Sequence, residues 1–360
     1  VSVKPRPIRI LPRGNWMDDS GPVVTPGVPG FLPALDVDDR RANRLDLARW
    51  IVRKDNPLTA RAFVNRLWKL YFGRGLTAPL DDLGAQGTRP IHPKLLDWLA
   101  VEFIESGWNV KQIVKSILMS ETYRQSSTPT EEMVAADPDN RLLARQSRFR
   151  LKAEFVRDAA LAISGLLSRK VGGPSVKPYQ PEDYWKDIQP FGVPGPGSDW
   201  VASAGGDQYR RGLYVYWKRT FLHPALKAFD APERQECTAE RATSNTPLQA
   251  LVVLNDPTFV EAARVLAQNV LAQSGRSSSD RLDVAFSRAV GRLPSESEKE
   301  ELDKLLEGQI ERYWKEPGEA KKLVTVGQAP LPANLDPPEL AAWTAVCRVI
   351  LNLHETITRS

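Results

Sequence analysis

Apolar residues recur at helical spacing along most of this chain, and that periodicity constrains the fold more than any other feature. The clearest case is the stretch NPLTARAFVNRLWKLYFGRG, from Asn56 to Gly75. One face of this predicted helix carries five apolar residues, Phe63, Val64, Leu67, Trp68 and Tyr71. A second dense stretch, FDAPERQECTAERATSNTPLQALVVLNDPTFVEAAR, runs from Phe229 to Arg264. Both stretches mix the apolar stripe with Asn, Arg, Gln and Thr, which indicates specific hydrogen bonds beside a packed core.

Local signals predict where the helices begin and end. A capping residue followed by proline predicts helix starts at Asn56-Pro57, Thr246-Pro247 and Asp256-Pro257. Asn109 is a further predicted cap, and Ser295 with Glu298 forms a capping box. Periodicity and breakers predict the other helices at 44–52, 93–106, 140–146, 151–167, 280–290 and 338–353.

Four segments break the helical pattern. Residues 1–40 are rich in Pro and Gly and are predicted to form an extended arm, with a candidate short strand at 8–11. Residues 172–208 are predicted to form a long irregular segment, and its aromatic residues indicate that the segment is ordered. Residues 212–218 (GLYVYWK) are predicted to form a strand. Residues 316–337 are predicted to form a loop. We therefore predict a mainly α fold: an irregular multi-helix domain at 41–360 with a small β element, long ordered Pro/Gly-rich loops and the arm at 1–40.

The composition is that of an ordinary globular protein. Of the 360 residues, 42% are hydrophobic and 26% are charged, and the net charge is +5. No apolar run approaches the roughly 20 residues that span a bilayer, and no signal peptide is visible. Because the chain begins with Val1 and not with Met, we expect it to be a fragment or a processed piece of a longer protein.

Cysteine and histidine are scarce, which limits the chemistry of this chain. It has two cysteines and three histidines, and neither CxxC nor CxxCH occurs. We therefore expect no metal, no c-type haem and no other cofactor in this chain. The GxSxG, P-loop and GxGxxG templates are absent as well. Cys237, beside Glu236 and Glu240, and Cys347, on an apolar helix face, are both expected to be free thiols.

The first polar cluster lies on the predicted helix that follows Asn56. Arg61, Asn65 and Lys69 share one helix face, and Arg66 lies beside them. These donors suit a carboxylate, a sulfate or a sugar hydroxyl. The alternative is a buried network that attaches the helix to the loop at Asp81-Asp82.

The second polar cluster lies in the stretch from Phe229 to Arg264. Its members are Asp230, Glu233, Arg234, Glu236, Cys237, Glu240, Arg241, Asn245 and Gln249. Asp230 and Glu236 suit acid–base chemistry if they are held about 5–10 Å apart, as in glycosidases. The alternative is a set of ion pairs that fixes a loop between helices.

Three further groups of residues are candidates for a functional role. His92 and His223 both precede a proline at a predicted element boundary, and either could serve as a catalytic group, as a ligand or as a structural histidine. Aromatic residues of the irregular segment suit stacking on sugar rings. The basic residues Arg141, Arg145, Arg148 and Lys152 would share one face of an unbroken helix, where they bind an anionic partner or form a solvated, ion-paired face.

Long motifs through most of the chain resemble one bacterial family. They include NPLTARAFVNRLWKLYFGRGL, LDDLGAQGTRPIHPKLLDWLA, SGWNVKQIVKSILMSETYRQSS, RRGLYVYWKRT and the stretch from Phe229 to Arg264. These motifs resemble the planctomycete domain of unknown function 1553. Ile91 stands where that family tends to have Thr before His-Pro.

The resemblance implies a context and assigns no catalytic residue. Members of the family typically form the C-terminal part of large exported bacterial proteins. A second domain of unknown function lies upstream, often with a c-type cytochrome domain. The resemblance therefore implies export to the periplasm or cell envelope, and c-type haem in an upstream domain of the full protein.

Three functional hypotheses follow from the residues and the resemblance. The leading one is a structural or docking module that contacts upstream domains of the same polypeptide and supports a cytochrome-associated envelope protein. The second is a hydrolase or lyase that acts on an acidic polysaccharide. The third is a module that binds nucleic acid or another polyanion through the basic stripe.

The candidate site residues divide by role. The candidate catalytic groups are Asp82, His92, Asp230 and Glu236. The candidate binding groups are Arg61, Asn65, Arg66, Arg241, Asn245, Gln249, Trp185 and Trp200. The polysaccharide hypothesis joins Arg61, Asn65, Asp82, Asp230, Arg241 and Asn245 in one cleft, with Tyr184, Trp185 and Trp200 as stacking partners.

Overall fold

A computed structural model describes residues 5–84, 86–181, 184, 200–218, 222–273 and 275–359. The fold is mainly α, as predicted, with only two small β elements in the described residues. The chain divides into two compact units, Val1–Ser147 (unit 1) and Arg148–Ser360 (unit 2). The predicted arm at 1–40 and the predicted single domain at 41–360 stay predictions.

Unit 1 begins with a two-stranded antiparallel ribbon and continues with six helices. Its elements are β1 (Ile8–Arg9), β2 (Val23–Val24), α1 (Arg44–Ile51), α2 (Thr59–Phe72), α3 (Pro93–Glu105), α4 (Val110–Met119), α5 (Glu121–Arg124) and α6 (Glu131–Ala136). In the ribbon, Ile8 pairs with Val24. The apolar face of α2 packs against α3 and α4, which creates a core rich in aromatic residues. Phe63 stacks on Phe103 with ring centroids 4.7 Å apart.

The arm of unit 1 leaves several large apolar side chains in water. Trp16 is 79% exposed, Met17 is 74% exposed and Phe31 is 83% exposed. The arm is nevertheless attached to α1, because the indole N–H of Trp50 donates to the carbonyl oxygen of Pro33 at 2.6 Å. The arm therefore has a defined course and an apolar surface.

In its described residues, unit 2 contains eight α-helices and a second ribbon. Its elements are β3 (Phe149–Arg150), α7 (Ala153–Ser164), α8 (Pro224–Ala228), α9 (Pro247–Asn255), α10 (Pro257–Leu271), α11 (Ser278–Val290), α12 (Glu296–Lys315), α13 (Pro317–Val324), α14 (Pro337–Leu351) and β4 (Thr358–Arg359). The ribbon pairs Phe149 with Arg359. Helices α10 and α14 are buried over most of their surface and form the centre of the core, with α7, α12 and α13 around them. Small residues such as Ala262, Ala263 and Ala341 allow this close helix contact.

The predicted strand at 212–218 is absent. Residues Gly212–Tyr214 form a 3₁₀ turn, and Val215 is joined to Val176 by an isolated bridge and not by a strand. The turn lies against α7, where the Gly212 N–H donates to Asp158 at 2.6 Å. A Cβ at Gly212 would lie 2.8 Å from the Cβ of Glu154, so glycine is needed for this contact with the helix. Contact with a helix therefore replaced the sheet pairing that the alternating pattern predicted.

The predicted helix at 140–146 is also absent. The carboxylate of Asp137 accepts hydrogen bonds from the backbone N–H groups of Arg141 and Leu142, at 2.9 and 2.7 Å. Asn140 and Leu143 have φ of 50° and 60°, in the left-handed region, which is incompatible with an α-helix. A side-chain-stabilised turn therefore takes the place of the helix.

Two other boundaries differ from the predictions. Asn56 does not cap α2, because its side chain accepts from Leu58 N–H and donates to the Trp50 carbonyl oxygen, so it fixes a turn before the helix. The predicted loop at 316–337 contains α13 (Pro317–Val324), which Pro317 opens at its first position.

Among the helices of the described residues, none has an apolar stretch that could span a lipid bilayer.

Candidate functional site

Asn65 of the first cluster lies in a buried network of unit 1. It is fully buried on α2. Its side-chain amide donates to the Thr77 carbonyl oxygen at 2.9 Å and accepts from the Thr77 N–H at 3.1 Å. A Cβ at position 75 would lie 2.8 Å from Asn65 Oδ1, so Gly75 makes this approach possible. One of the two interpretations predicted such a network, although with the Asp81-Asp82 loop as the partner instead of Thr77.

The other candidates on or near α2 are more exposed. Arg61 contacts Asp97 of α3, with Nε and Oδ1 2.6 Å apart, and both side chains are about half exposed. Arg66 is exposed and has no polar partner among the described residues. Asp82 accepts a weak hydrogen bond from the Gly84 N–H at 3.3 Å. These side chains therefore form separate contacts and no common constellation.

His92 is the candidate of unit 1 that lies at a pocket. It occupies the residue before α3, and its carbonyl oxygen accepts from the Leu96 N–H at 3.1 Å. Its Nε2 atom is buried and has no hydrogen-bond partner in the described residues. The histidine lines a small pocket together with Arg74, Arg89 and Arg141.

Asp230 of the second cluster is held by two partners in unit 2. One carboxylate oxygen accepts from Arg150 at 2.5 Å and from the Ser244 N–H at 2.8 Å, and the other accepts from the Ser244 hydroxyl at 2.7 Å. Burial raises the pKa of Asp230, but the hydrogen bonds from Ser244 and the charge of Arg150 outweigh it, so the net pKa is lowered. Asp230 is therefore an ionised anchor of the loop, and a proton acceptor with a raised pKa is not what this geometry provides.

Two further members of the second cluster join the same network. Arg241 donates to Glu154 of α7 at 2.7 Å. Gln249 is buried on α9, and its amide donates to the carbonyl oxygens of Ala228 and Ser244. These contacts match the ion-pair interpretation of the second cluster.

Three other members of the second cluster face water. Glu236, Cys237 and Asn245 are exposed, and within the described residues none of their side chains has a polar partner. The structure therefore fixes Asp230 but leaves Glu236 unsupported.

Trp200 is packed against other side chains of unit 2. Its indole N–H donates to the Pro178 carbonyl oxygen at 2.6 Å, and its ring lies 6.1 Å from that of Tyr216 and 5.9 Å from that of His223. This tryptophan therefore supports the irregular segment from inside. The other predicted sugar-stacking tryptophan, Trp185, lies outside the described residues.

His223 is a buried structural histidine of unit 2. Its Nε2 lies 2.7 Å from the Tyr179 carbonyl oxygen, which assigns the proton to Nε2. Burial lowers the pKa of His223 to about 4, so the ring is neutral at pH 7. The neighbouring Arg157 acts in the same direction.

The predicted basic stripe does not exist as a helix face. Residues 141–148 form turns and extended backbone, because the Asp137-centred turn replaces the helix. The guanidinium group of Arg145 donates to the carbonyl oxygens of Met133, Asp137 and Pro138. Helical spacing therefore does not align these four cations.

An extensive polar network of unit 2 centres on Glu261, which the sequence analysis did not predict as a functional residue. Glu261 of α10 is fully buried. Its carboxylate accepts from the hydroxyl groups of Tyr179 and Tyr209, at 3.0 and 2.8 Å, and from the backbone N–H groups of Gln328 and Ala329, at 2.6 Å each. Burial, with the contact to Glu261, raises the pKa of Tyr209 well above its usual value, so the phenol remains a donor.

The sequence carried only weak signals for these missed residues. A glutamate inside the otherwise apolar run of α10 was the one sign of Glu261. Arg74 stands between two glycines and Arg89 precedes a proline, which indicates that both arginines lie at turns. No group of His, Cys, Asp and Glu in the described residues could hold a metal ion.

Comparison with known proteins finds one family. A family model described as a protein of unknown function (DUF1553), PSD1, matches residues 43–306. This range includes Asn65, His92, Asp230 and Glu261. No curated protein and no solved structure matches the chain.

Proposed function

Since the chain belongs to the DUF1553 family of proteins of unknown function, we propose that it is a structural docking module. Its arm contacts another domain of the same polypeptide, and the helical units provide a stable support. The proposal includes the context implied by the resemblance: an exported protein of the periplasm or cell envelope, with c-type haem in an upstream domain.

The observation that carries this proposal is the apolar surface of the arm. Trp16, Met17 and Phe31 are each about three-quarters exposed or more. Burying apolar side chains of this size against a partner is favourable, so their exposure on one segment is the feature on which the proposal rests. Aromatic residues and Met are also the types that interfaces favour. The arm therefore offers the kind of surface that another domain covers.

The state of the polar clusters supports a structural role as well. Asn65, Asp230, Arg241 and Gln249 each contact groups of their own unit. The hydrolase or lyase hypothesis has less support, because Asp230 is ion-paired and the described residues give Glu236 no partner. The polyanion hypothesis depended on a helical stripe of basic residues, and residues 141–148 do not form a helix.

A retention experiment tests the docking proposal. The tagged chain is immobilised and incubated with an envelope extract of the source organism, and covalently bound haem that stays on the column is measured by haem staining after electrophoresis. We expect the unaltered chain to retain a haem-bearing polypeptide. The Trp16→Ser, Phe31→Ser variant should retain at least about tenfold less, because both anchors of the apolar surface are gone.

A matched control separates docking from general hydrophobicity. Val171 and Leu293 are 79% and 66% exposed in unit 2, and Val171→Ser, Leu293→Ser should leave haem retention unchanged. Equal retention by the arm variant and the unaltered chain, or no retained haem polypeptide at all, would refute the proposal.

A further inference from the structure

Unit 1 contains a small pocket whose walls come from three separate loops. These are the loop after α2 (residues 74–78), the loop before α3 (residues 88–92) and the turn after α6 (residues 139–143). Its base is formed by Trp68 and Phe72, two aromatic residues that stack in the core. The cavity volume is about 40 Å³, where one water molecule needs roughly 10–15 Å³ in the same measure. The pocket therefore has the size of a few waters or of one compact ion.

The first two walls are fixed to each other and to α2. Asn65 holds Thr77 through two hydrogen bonds. The Thr77 hydroxyl donates to the Thr88 carbonyl oxygen at 2.6 Å, and the Thr88 hydroxyl and N–H donate to the Ala78 carbonyl oxygen at 2.7 and 2.8 Å. These contacts fix the backbone on either side of the pocket, next to Arg74 and Arg89.

The third wall is fixed by the turn that replaced the predicted helix. Asp137 accepts from the N–H of Arg141, and the Asn140 amide donates to the Arg145 carbonyl oxygen at 2.7 Å. The backbone that carries Arg141 is thus held in place before any ligand arrives. A binding site with a fixed backbone loses less entropy when it takes a ligand.

Cations without partners line this pocket. Arg74, Arg89 and Arg141 are lining residues, against one carboxylate, that of Asp139. Within the part of the chain that the structure describes, none of the three guanidinium groups has a hydrogen bond or an ion pair. Other arginines of unit 1 do find acceptors, as Arg61 does on Asp97. Three unpaired arginines at one cavity therefore leave donors available for an anion.

His92 gives a second, independent indication of a ligand. Its Nε2 atom is buried without a partner, although buried polar atoms are almost always hydrogen-bonded. It also precedes α3, a 13-residue helix whose N-terminal end favours negative charge.

We propose that this pocket binds a compact oxyanion, with the chemistry of sulfate or phosphate, through Arg74, Arg89, Arg141 and His92. Guanidinium groups match such oxyanions because their planar donors reach two oxygens at once. The volume of about 40 Å³ suits one such group, so a larger ligand would insert its anionic end. The site is independent of the docking proposal, since no exposed residue of the arm contributes to it.

The experiment measures binding of defined anions to the full chain by calorimetry, at constant ionic strength. The probes are inorganic phosphate and sulfate, glucose 6-phosphate and glucose 6-sulfate, with glucose as the neutral comparison. We expect saturable binding of an anion and none of glucose. Tighter binding of the esters identifies an ester end as the source, and binding of the inorganic ions alone identifies a free ion. Absence of saturable binding by all four anions overturns the proposal.

Matched arginine variants test whether the pocket is the site. Arg89→Gln and Arg141→Gln should each weaken binding by about tenfold or more. Arg44→Gln removes the same charge from an exposed arginine of unit 1 that does not line the pocket, and should leave the affinity unchanged. Equal weakening by Arg44→Gln and Arg141→Gln would show unspecific charge attraction and refute the site.

A spectroscopic readout keeps the test valid if a variant folds poorly. The chain has only three histidines, so imidazole NMR signals can be assigned with His92→Gln. Phosphate or sulfate should shift the His92 signal saturably in the unaltered chain and leave that of exposed His354 unchanged. A His92 signal that does not respond, while calorimetry records binding, would place the anion elsewhere and refute the proposal.

Discussion

Two buried arginines of unit 2 and two exposed arginines of unit 1 have opposite environments. In unit 2, Arg157 is 4% exposed and donates to the carbonyl oxygens of Gln208 and Arg210, at 2.7 and 2.6 Å. Arg264, which is 1% exposed, donates to the Ala329 carbonyl oxygen at 2.9 Å. In unit 1, the pocket residues Arg89 and Arg141 are exposed and have no acceptor among the described residues.

The difference teaches what decides whether an arginine is structural or available. A buried guanidinium is costly unless it is hydrogen-bonded, and Arg157 and Arg264 each attach an irregular segment to a helix through carbonyl oxygens. The carbonyl oxygens that they use belong to loops with no regular partner of their own. An exposed guanidinium at a cavity bears no such cost, and its donors remain free for a ligand.

Replacing Glu261 with Ala should produce the largest loss of stability. It removes the acceptor of two phenols and two backbone N–H groups in a fully buried place. We expect the free energy of unfolding to fall by about 3–5 kcal/mol, measured by denaturant titration. Glu319→Ala, at an exposed pair with Lys322, should cost far less, because water and salt screen that pair. Similar small losses in both variants would show that the buried network around Glu261 does not stabilise unit 2.

Acidification should destabilise unit 2 through His223. Its folded pKa of about 4 lies below the usual histidine value of about 6.5, so the unfolded chain binds the proton first as the pH falls. Stability is therefore full above pH 6.5 and is lost between pH 6.5 and 4, by about 3 kcal/mol at most. In His223→Gln this loss should shrink. Parallel curves of unfolding free energy against pH for the two proteins would contradict the assignment.

Adding one methyl group at Gly327 should cost about 2 kcal/mol or more. Its φ of +94° is unfavourable for other residues, and a Cβ would lie 2.1 Å from the Glu261 carboxyl carbon. Thermal and denaturant unfolding of Gly327→Ala measure the effect. Gly308 of α12 is the control, because nothing lies within 4 Å and Ala should stabilise the helix by about 0.5–1 kcal/mol. If Gly327→Ala is as stable as Gly308→Ala, the loop is not held against Glu261.

Signals that act within a few residues were enough to predict most helices. The capping box of Ser295 and Glu298 opens α12, Asn109 caps α4, and Gly73 ends α2 in the left-handed region. Each of these devices satisfies helix-end groups with atoms nearby in sequence, so its effect is readable from spacing alone.

Contacts between distant residues decided what the sequence could not predict. At Gly212, a contact with α7 replaces the predicted strand. The Glu261 carboxylate accepts hydrogen bonds from residues that lie 52 to 82 positions earlier and 67 to 68 positions later in the chain. Arg74 and Arg89 were missed for the same reason, because their loops meet through the hydrogen bonds of Thr77 and Thr88. One of the two interpretations placed Asn65 in a buried hydrogen-bond network, because Asn is unfavourable in the middle of a helix. Local sequence does not identify Thr77 as its partner.

The smallest expected effect on stability is that of a pocket arginine. Arg89→Gln removes an exposed guanidinium that has no partner among the described residues, so the free energy of unfolding should change by less than about 0.5 kcal/mol. Arg157→Gln, the matched change in unit 2, removes donors to two buried carbonyl oxygens and should cost about 2 kcal/mol or more. Denaturant titration of both variants measures the difference. A large loss in Arg89→Gln would show that this arginine supports the fold of unit 1, and the contrast between available and structural arginines would then fail at the residue on which the anion site depends.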